Sequence, residues 1–365
     1  MRPVEVGIIG CGTISAAYLR GAAGFPELRI AACADLDRAR AQARADEFGL
    51  RASTVAALLA DPAIEVVLNL TVPAAHVPVA MQALQAGKHV YLEKPLAVSL
   101  ADAERLLRQA REAGLRVGCA PDTFLGGAHQ TVRAAIDDGR VGTVTSGTAF
   151  MMNHGHEHWH PDPAFYYRPG GGPLFDMGPY YLTALVDLLG PVAAVVALSD
   201  RAQDERVVGS GPRAGERIRP ETQTHVAGLL RFVSGAAISL TTSFDVWAHR
   251  HDPIELYGTG GSIGVPDPNR FDGTPVLAVG RAAWQELPLS HGFATADHRG
   301  VGLADMARAL RGDRPHRASA EMALHVVEVM QALLEAGETG RTVAIGSRCE
   351  RPQPLPPRRE IGILD

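Results

Sequence analysis

Two residues capable of acid–base chemistry, Asp176 and Tyr180, lie four positions apart, directly after three consecutive glycines at 170–172. A helix that begins in this segment places both side chains on one face, one turn apart. A positioned phenol can exchange a proton with a bound hydroxyl group, and a neighbouring carboxylate can orient it. The segment Gly170–Tyr181 is therefore predicted to hold a small polar substrate.

Lys94 is the third ionisable candidate, in the sequence Glu93-Lys94-Pro95. It follows a short strand predicted over His89–Leu92, and a lysine beside a proline at a strand end has little freedom. A fixed ammonium can stabilise a developing alkoxide. It also favours the phenolate of a nearby tyrosine, whose ordinary pKa of about 10 is too high for a base at neutral pH. We therefore predict that Lys94 acts together with Tyr180.

The sequence Gly10-Cys11-Gly12-Thr13-Ile14-Ser15 joins a buried strand predicted over Val4–Ile9 to a helix. It is a G-x-G-x-x-G pattern with serine in the third place. The first glycine permits the tight turn and the second admits a pyrophosphate, which the free N–H groups of the helix attract. An ordinary strand-to-helix turn is the alternative.

A second strand over Leu28–Ala34 ends at Asp35, where a carboxylate can accept both ribose hydroxyls of NAD, so a dinucleotide site is predicted. Its residues are Gly10, Gly12, Thr13, Ile14 and Asp35.

The choice between NAD and NADP depends on Asp35 and Arg38. A carboxylate at position 35 repels the 2′-phosphate of NADP. Arg38 could turn toward that phosphate, or it could be a solvated charge at the start of a helix. We expect NAD, with NADP as the alternative.

Strands and helices continue to alternate up to residue 119, which is typical of a doubly wound parallel sheet. Ligands of such sheets bind at the carboxyl ends of the strands. For His76, an exposed position at a helix start is the alternative to a contact with the nicotinamide ribose. The cofactor candidates at this edge are Asn69, Thr71, Pro73, His76, Glu93 and Lys94.

Composition excludes several classes of protein. The chain has 365 residues, which predicts two domains, and its net charge of −5 gives no basic excess for nucleic acid or an anionic membrane. No apolar stretch approaches the roughly 18 residues of a membrane span, and the first residues carry no leader pattern, so we expect a cytoplasmic protein. Four scattered cysteines indicate neither a disulfide framework nor a zinc cluster. The expected partner is a small molecule.

Four sequence stretches together resemble the glucose-fructose oxidoreductase/inositol dehydrogenase (Gfo/Idh/MocA) family: GIIGCGTIS, ACADLD, NLTVPAAHVPVAMQALQAGKHVYLEKPLAVS and GGGPLFDMGPYYLTALVDLLG. The resemblance covers essentially the whole chain. It implies an N-terminal Rossmann domain and a C-terminal α+β domain with a large open, mostly antiparallel sheet, which we place at residues 1–121 and 122–365. It also implies oxidation or reduction of a hydroxyl on a sugar, cyclitol or related polyol.

The resemblance assigns Lys94 as the catalytic lysine and Asp176 as its acidic partner. The family usually has histidine where this chain has Tyr180, and often aspartate where it has Thr183. Branches that resemble glucose-fructose oxidoreductase and the dihydrodiol dehydrogenases use a tyrosine as acid–base. The resemblance therefore implies that Tyr180 carries the proton.

The second domain is predicted to open with Asp122, where many relatives carry an aromatic residue or arginine. Alternate residues between 154 and 160 are histidines, and an extended segment would align them on one face. Such a face could bind a metal, but hydride transfer needs none, and we expect a wall for a sugar. Arg168 is either a cofactor or substrate contact or a surface residue. The substrate candidates are Asp122, His154, His156, His158, Trp159, His160 and Arg168.

The segment Asp200–Pro220 is polar and rich in Arg and Gly, which predicts a mobile loop or an excursion between strands. Further strands are predicted over Thr222–Phe232, Ala236–Trp247, Pro253–Tyr257 and Gly261–Val265, followed by two helices. Helices on one side of a broad sheet leave the other side open, which predicts a homodimer or homotetramer through this sheet.

Two alternatives to a dehydrogenase stay open. An NAD-dependent glycosidase or lyase uses transient oxidation and would carry the same cofactor domain. A catalytically silent cofactor-binding sensor would carry it too, although a sensor has no need of Lys94, Asp176 and Tyr180 together.

Overall fold

The computed structural model describes residues 2–160, 162–294, 297–357 and 364–365. Its first sheet consists of six parallel strands in the order β3-β2-β1-β4-β5-β6. Strands β1 and β4 are buried throughout, because helices cover both faces. This order is that of a dinucleotide-binding sheet, which confirms the predicted doubly wound fold. The strands are β1 Val4–Ile9, β2 Leu28–Ala34, β3 Arg51–Ser53, β4 Val66–Asn69, β5 His89–Leu92 and β6 Val117–Cys119.

Five helices connect these strands. Three of them begin at side-chain caps: Asp37 accepts the N–H groups of residues 39 and 40, Thr54 accepts that of Ala57, and Ser99 accepts that of Asp102. The helices are α1 Thr13–Ala22, α2 Arg38–Phe48, α3 Val55–Ala60, α4 Pro73–Gln85 and α5 Leu100–Glu112.

The second sheet has nine strands in the order β16-β15-β14-β13-β7-β12-β11-β8-β17. Neighbouring strands are antiparallel except for the parallel pair β7 and β12, which confirms the mostly antiparallel sheet. The strands are β7 Val144–Met152, β8 Val192–Asp200, β11 His225–Phe232, β12 Ala237–Ser243, β13 Ile254–Gly258, β14 Gly261–Val265, β15 Val276–Val279, β16 Gln285–Glu286 and β17 Val343–Ala344. Two short strands, β9 Arg206–Val207 and β10 Arg217–Ile218, pair separately.

Four helices follow β6: α6 Gly127–Asp137, α7 Gly172–Leu189, α8 Val301–Gly312 and α9 Ala320–Thr339. Helices α7 and α9 pack on one face of the second sheet, and α7 is buried on almost every side. Helix α8 instead returns to the first sheet, where it contacts α1 and β6. Helix α7 therefore begins close to the first sheet and ends inside the core of the second.

None of the helices in the described part of the chain is both long and apolar enough to cross a membrane.

Candidate active site

Lys94 and Asp176 form an ion pair between the two sheets. Lys94 follows β5, and its Nζ donates to Asp176 Oδ1 at 3.0 Å and to the Asp176 backbone carbonyl at 2.5 Å. Each side chain is 16% exposed. Burial disfavours the Lys94 ammonium, but Asp176, Tyr180 and Glu93 together outweigh burial and raise the pKa of Lys94. Burial also opposes ionisation of Asp176, yet Lys94 and His156 lower the pKa of Asp176 to about 2. Both groups are therefore charged at neutral pH.

Tyr180 lies one turn after Asp176 on α7 and is almost completely buried. The Lys94 Nζ lies 5.1 Å from the centroid of its ring. Burial raises the pKa of Tyr180, while the positive charges of Lys94 and Arg299 act in the opposite direction. Lys94 therefore lowers the pKa of Tyr180, as predicted. Burial raises this pKa by more, so the net shift is upward.

His156 is the histidine that reaches the ion pair. Its Nε2 lies 2.9 Å from Asp176 Oδ2, the carboxylate oxygen that Lys94 leaves free. Its ring packs against three aromatic residues, Trp159, Tyr166 and Phe244. Asp176 therefore binds one cationic and one imidazole partner at the same time.

The other predicted substrate residues of this loop do not share the position of His156. His154 stacks on Trp247 with ring centroids 3.3 Å apart, His160 lies beside Phe165, and His158 is exposed. The physical reason is that the segment is not extended. Gly155 adopts a φ of 81°, and the N–H groups of residues 159 and 160 return to the His156 carbonyl. The expectation of one shared histidine face was wrong.

Two further residues of the predicted substrate wall lie on the surface. The Trp159 ring is about half exposed and contacts the edge of His156. Arg168 is exposed, just before the glycines that begin α7.

A buried ionic network supports the histidine loop from behind. Arg206 donates to Glu157 Oε1 at 2.6 Å and also binds Asp245. The Tyr167 hydroxyl binds the same glutamate. Arg206 belongs to β9, within the segment for which we predicted a mobile loop or an excursion between strands, and its side chain is buried. Of the two predicted alternatives, the structure therefore shows the excursion between strands, which Arg206 fixes through its two buried carboxylate partners.

The glycine turn has the shape that a pyrophosphate requires. Gly10 has a φ of 104°, and the backbone at residues 70–71 passes so close that no side chain fits there. A Cβ added to Gly12 would meet nothing, so the space in front of α1 is open. No side chain caps this helix, and Thr13 and Ile14 form its first turn. Free N–H groups facing open space fit an anionic dinucleotide.

Asp35 lies beside this turn at the carboxyl end of β2. Its two carboxylate oxygens accept the N–H groups of Cys11 and Asp37, at 2.8 and 2.9 Å, which fixes its orientation. Arg38 is exposed on the first turn of α2. Arg44, which the sequence did not single out, donates to the Gly12 carbonyl at 3.3 Å. The cofactor edge thus has one oriented carboxylate and two nearby arginines.

Three of the predicted cofactor residues have buried side chains instead: Asn69, His76 and Glu93. Asn69 binds the His76 carbonyl and Thr71, and the ring nitrogens of His76 lie 2.7 and 3.0 Å from the carbonyls of Pro95 and Thr71. Their side chains shape the strand edge and do not face open space, which corrects the expectation of direct cofactor contact. Thr71 and Pro73, at the start of α4, remain partly exposed at this edge. Glu93 is buried and accepts the Tyr18 hydroxyl at 2.8 Å.

Two sequence models of one family match this chain. The first, described as "Oxidoreductase family, NAD-binding Rossmann fold", matches residues 4–120, and the second, "GFO/IDH/MocA C-terminal domain", matches residues 129–264. The chain belongs to the GFO/IDH/MocA oxidoreductase family. The resemblance stated from the sequence is thereby confirmed, as is the NAD-binding first domain.

Relatives in this family align over nearly the whole chain. The 1,5-anhydro-D-fructose reductase of Ensifer adhaerens is 28% identical over 350 residues, 93% of this chain and 98% of that protein. The D-xylose 1-dehydrogenase (NADP(+)) 2 of Haloferax volcanii is 27% identical over 353 residues, 93% of this chain and 99% of that protein. A crystal structure of an NAD binding oxidoreductase from Klebsiella pneumoniae has the same fold, with a TM-score of 0.83 at 24% identity, covering 95% of this chain and 100% of that one.

The structure corrects the prediction that Asp122 binds the substrate. Its side chain is fully buried, and its Oδ2 accepts the N–H groups of Gly300 and Gly302 at 3.0 Å each. These are the orphan donors at the start of α8. Asp122 therefore caps a helix and offers nothing to a substrate.

Two residues of this site were not predicted from the sequence. Tyr166 packs on His156, and burial together with the charge of Asp176 raises its pKa to about 12. Arg299 approaches the ring of Tyr180, with its guanidinium carbon 5.9 Å from the centroid. No local pattern marks Arg299, because it is far from Tyr180 in the chain and precedes a helix that packs on the first sheet. The described part of the chain contains no group of three or more His, Cys, Asp or Glu residues that could hold a metal.

Proposed function

We propose that this protein transfers a hydride between a nicotinamide cofactor and a hydroxyl or carbonyl of a sugar, cyclitol or related polyol, with Lys94 and Tyr180 as the acid–base pair. The observation that carries the proposal is the ion pair of Lys94 with Asp176, at the carboxyl edge of the NAD-binding sheet, with the Tyr180 ring 5.1 Å from Lys94 Nζ. A lysine, a carboxylate and a phenol are thus assembled where ligands of such sheets bind.

In the oxidation direction, Tyr180 takes the proton of the substrate hydroxyl. Lys94 stabilises the negative charge that develops on the substrate oxygen, and Asp176 holds Lys94 in position. The bound nicotinamide supplies the hydride acceptor or, in the reverse direction, the hydride donor. In reduction, Tyr180 returns the proton to the same oxygen.

The cofactor would lie on Gly10, Gly12 and the first turn of α1, with its ribose at Asp35. The oriented carboxylate of Asp35 favours NAD. Arg38 and Arg44 are the residues through which NADP could bind, and the name of the Haloferax relative includes NADP.

The sugar class rests on the relatives' names and on the partly exposed ring of Trp159. Those names specify 1,5-anhydro-D-fructose and D-xylose. Aromatic faces are common partners for the apolar faces of sugar rings. We further propose that the domain boundary lies between residues 121 and 122.

A panel of sugars, cyclitols and polyols, with NAD and with NADP, tests the proposal through nicotinamide absorbance. We expect net reduction of the nucleotide with at least one substrate, and activity that survives complete chelation of metals. Product formation with no net change in the nucleotide would instead identify a glycosidase or lyase. Cofactor binding without turnover on the whole panel would identify the sensor.

A further inference from the structure

A second cation faces Tyr180 from the turn before α8, the helix that packs on the first sheet. Arg299 lies in the turn immediately before α8, and its guanidinium carbon is 5.9 Å from the centroid of the Tyr180 ring. Its side chain is only 12% exposed. Two positive charges, those of Lys94 and Arg299, are therefore held close to one phenol.

The turn that carries Arg299 is fixed from both sides. The Arg299 carbonyl oxygen packs against Gly21 of α1, at the position that the Cβ of any larger residue would occupy. Asp122 accepts the N–H groups of the next turn, from Gly300 and Gly302. The Nη2 of Arg299 also lies 3.4 Å from Asn269 Oδ1. The guanidinium thus has a defined position.

The charge of Arg299 is less neutralised than that of Lys94. Among the described residues, the one carboxylate within 4.0 Å of Arg299 is Asp297, at 3.9 Å from Nε, and the buried Nη1 has no hydrogen-bond partner. Lys94, in contrast, is bound directly to Asp176 at 3.0 Å. An ion pair acts on a third group more weakly than a free charge does. Lys94 has the larger effect on the pKa of Tyr180, and Arg299 adds a second positive charge that lowers this pKa.

We propose that Arg299 is a positioning residue of this site, which stabilises the phenolate of Tyr180 and so prepares it to accept the substrate proton. This inference rests on the proposed function, because it assigns Arg299 a task in that reaction. It also gives a role to a buried arginine whose nearest carboxylate among the described residues, Asp297, lies 3.9 Å away.

The charged groups around Tyr180 determine in which direction the loss of Arg299 shifts the ionisation of the phenol. Lys94 and Arg299 favour the phenolate, whereas Glu93, Asp176 and the neighbouring phenol of Tyr166 disfavour it. Removal of Arg299 leaves one cation, already paired, against two carboxylates. The phenol should then ionise at higher pH.

A direct test places a fluorinated tyrosine, whose phenol is more acidic than that of tyrosine, at position 180 and follows its titration by fluorine NMR. We expect Arg299→Met to raise the titration midpoint by about one pH unit or more, as is usual for loss of a nearby opposite charge. Arg299→Lys should give an intermediate value. Arg311→Met is the matched control, because Arg311 also joins α8 to the first domain, through Glu65, but does not face Tyr180.

An unchanged midpoint in folded Arg299→Met would overturn the proposal. If that variant does not fold, Arg299→Gln, which keeps a donor for Asn269, provides the same comparison. The rising limb of the pH profile of kcat/KM for oxidation should shift with the NMR midpoint. A merely structural role would lower activity equally at every pH. If the wild type oxidises no polyol, the proposed function fails, yet the fluorine titration still decides whether Arg299 acts on Tyr180.

Discussion

Asp176 is the side chain that joins the parts of the candidate site. Its two carboxylate oxygens bind Lys94 of the first domain and His156 of the histidine loop, and its own helix carries Tyr180. Because the residue is largely buried, its charge is stable only while its partners are present. The geometry of the whole site therefore depends on this one carboxylate.

Loss of the Asp176 charge should affect both stability and turnover. Asp176→Asn leaves the buried Lys94 ammonium unpaired, and breaking such a pair usually costs about 3–5 kcal/mol. We predict a large drop in the free energy of unfolding, measured by chemical denaturation, and a large drop in kcat. Adding Lys94→Met should restore part of the stability and none of the activity. An equally unstable double variant would show that Asp176 stabilises the fold through His156 or its helix instead.

Asp35 should determine the nucleotide preference. At its proposed position beside the ribose, its carboxylate would repel an added phosphate, so the wild type is predicted to bind NAD more tightly than NADP. Asp35→Ala should weaken the binding of NAD and bring the dissociation constants of NAD and NADP closer together. Calorimetry can measure both constants. Tighter binding of NADP by the wild type would disprove this assignment. Equal weakening of both nucleotides would indicate that the loss of the hydrogen bonds to Cys11 and Asp37 disturbs the turn itself.

The start of α8 depends on a carboxylate in an unfavourable position. Burial raises the pKa of Asp122 from 3.8 to about 6, although Arg299 and the two N–H donors oppose this shift. A raised pKa in the folded state means that the protonated form stabilises the fold. That contribution is complete below the unfolded pKa of 3.8 and is lost as pH rises through 6.

Asp122→Asn should therefore change the pH dependence of stability. Its amide oxygen can accept the same N–H bonds without a charge, so the variant should gain stability relative to the wild type as pH rises from about 4 to 7. At about 1.4 kcal/mol per pKa unit, the gain is at most roughly 3 kcal/mol. Thermal melts at both pH values measure it, with the exposed Asp46→Asn as control. A stability difference that does not vary with pH would contradict the buried charge.

Local sequence patterns predicted the elements that depend on short-range rules. Apart from β3 and α3, the first-domain strands and helices follow from apolar runs, caps and terminal glycines, and Asp176 and Tyr180 do share a helix. The patterns failed where distant residues decide the structure. The histidines between 154 and 160 alternate in sequence, yet a turn at Gly155 separates them. The segment around Arg206 has the composition of a mobile loop, yet Glu157 and Asp245 hold it in place.

The second sheet has an apolar outer face. Leu198 of β8 is 74% exposed and pairs with Ala227 of β11, while the neighbouring pair is Val196 and Leu229, which is 53% exposed. These side chains form a contiguous patch on the side that α7 and α9 leave free. Exposed apolar patches on a sheet often mark an interface. We propose that two copies of the chain associate through this face.

Light scattering coupled to gel filtration tests this association. The wild type should have at least twice the mass of one chain, and Leu198→Glu should shift it toward the monomer, because it places a charge in the patch. Val233→Glu changes an exposed valine in a turn and serves as control. A monomeric wild type at micromolar concentration would rule out the proposed assembly.

In the proposed mechanism, one proton carrier, Tyr180, acts where the nucleotide domain and the substrate domain meet. The turnover of a Tyr180 variant is the most direct test of this mechanism. Tyr180→Phe keeps the ring and removes the hydroxyl. With the best substrate of the panel, kcat should fall by roughly 10²–10⁴, the usual range for lost acid–base catalysis, while the cofactor dissociation constant stays unchanged. Lys94→Ala should lose at least as much, and the two losses should not add. Wild-type turnover in Tyr180→Phe would contradict the account and transfer the role to another group, with His156 on Asp176 as the first candidate.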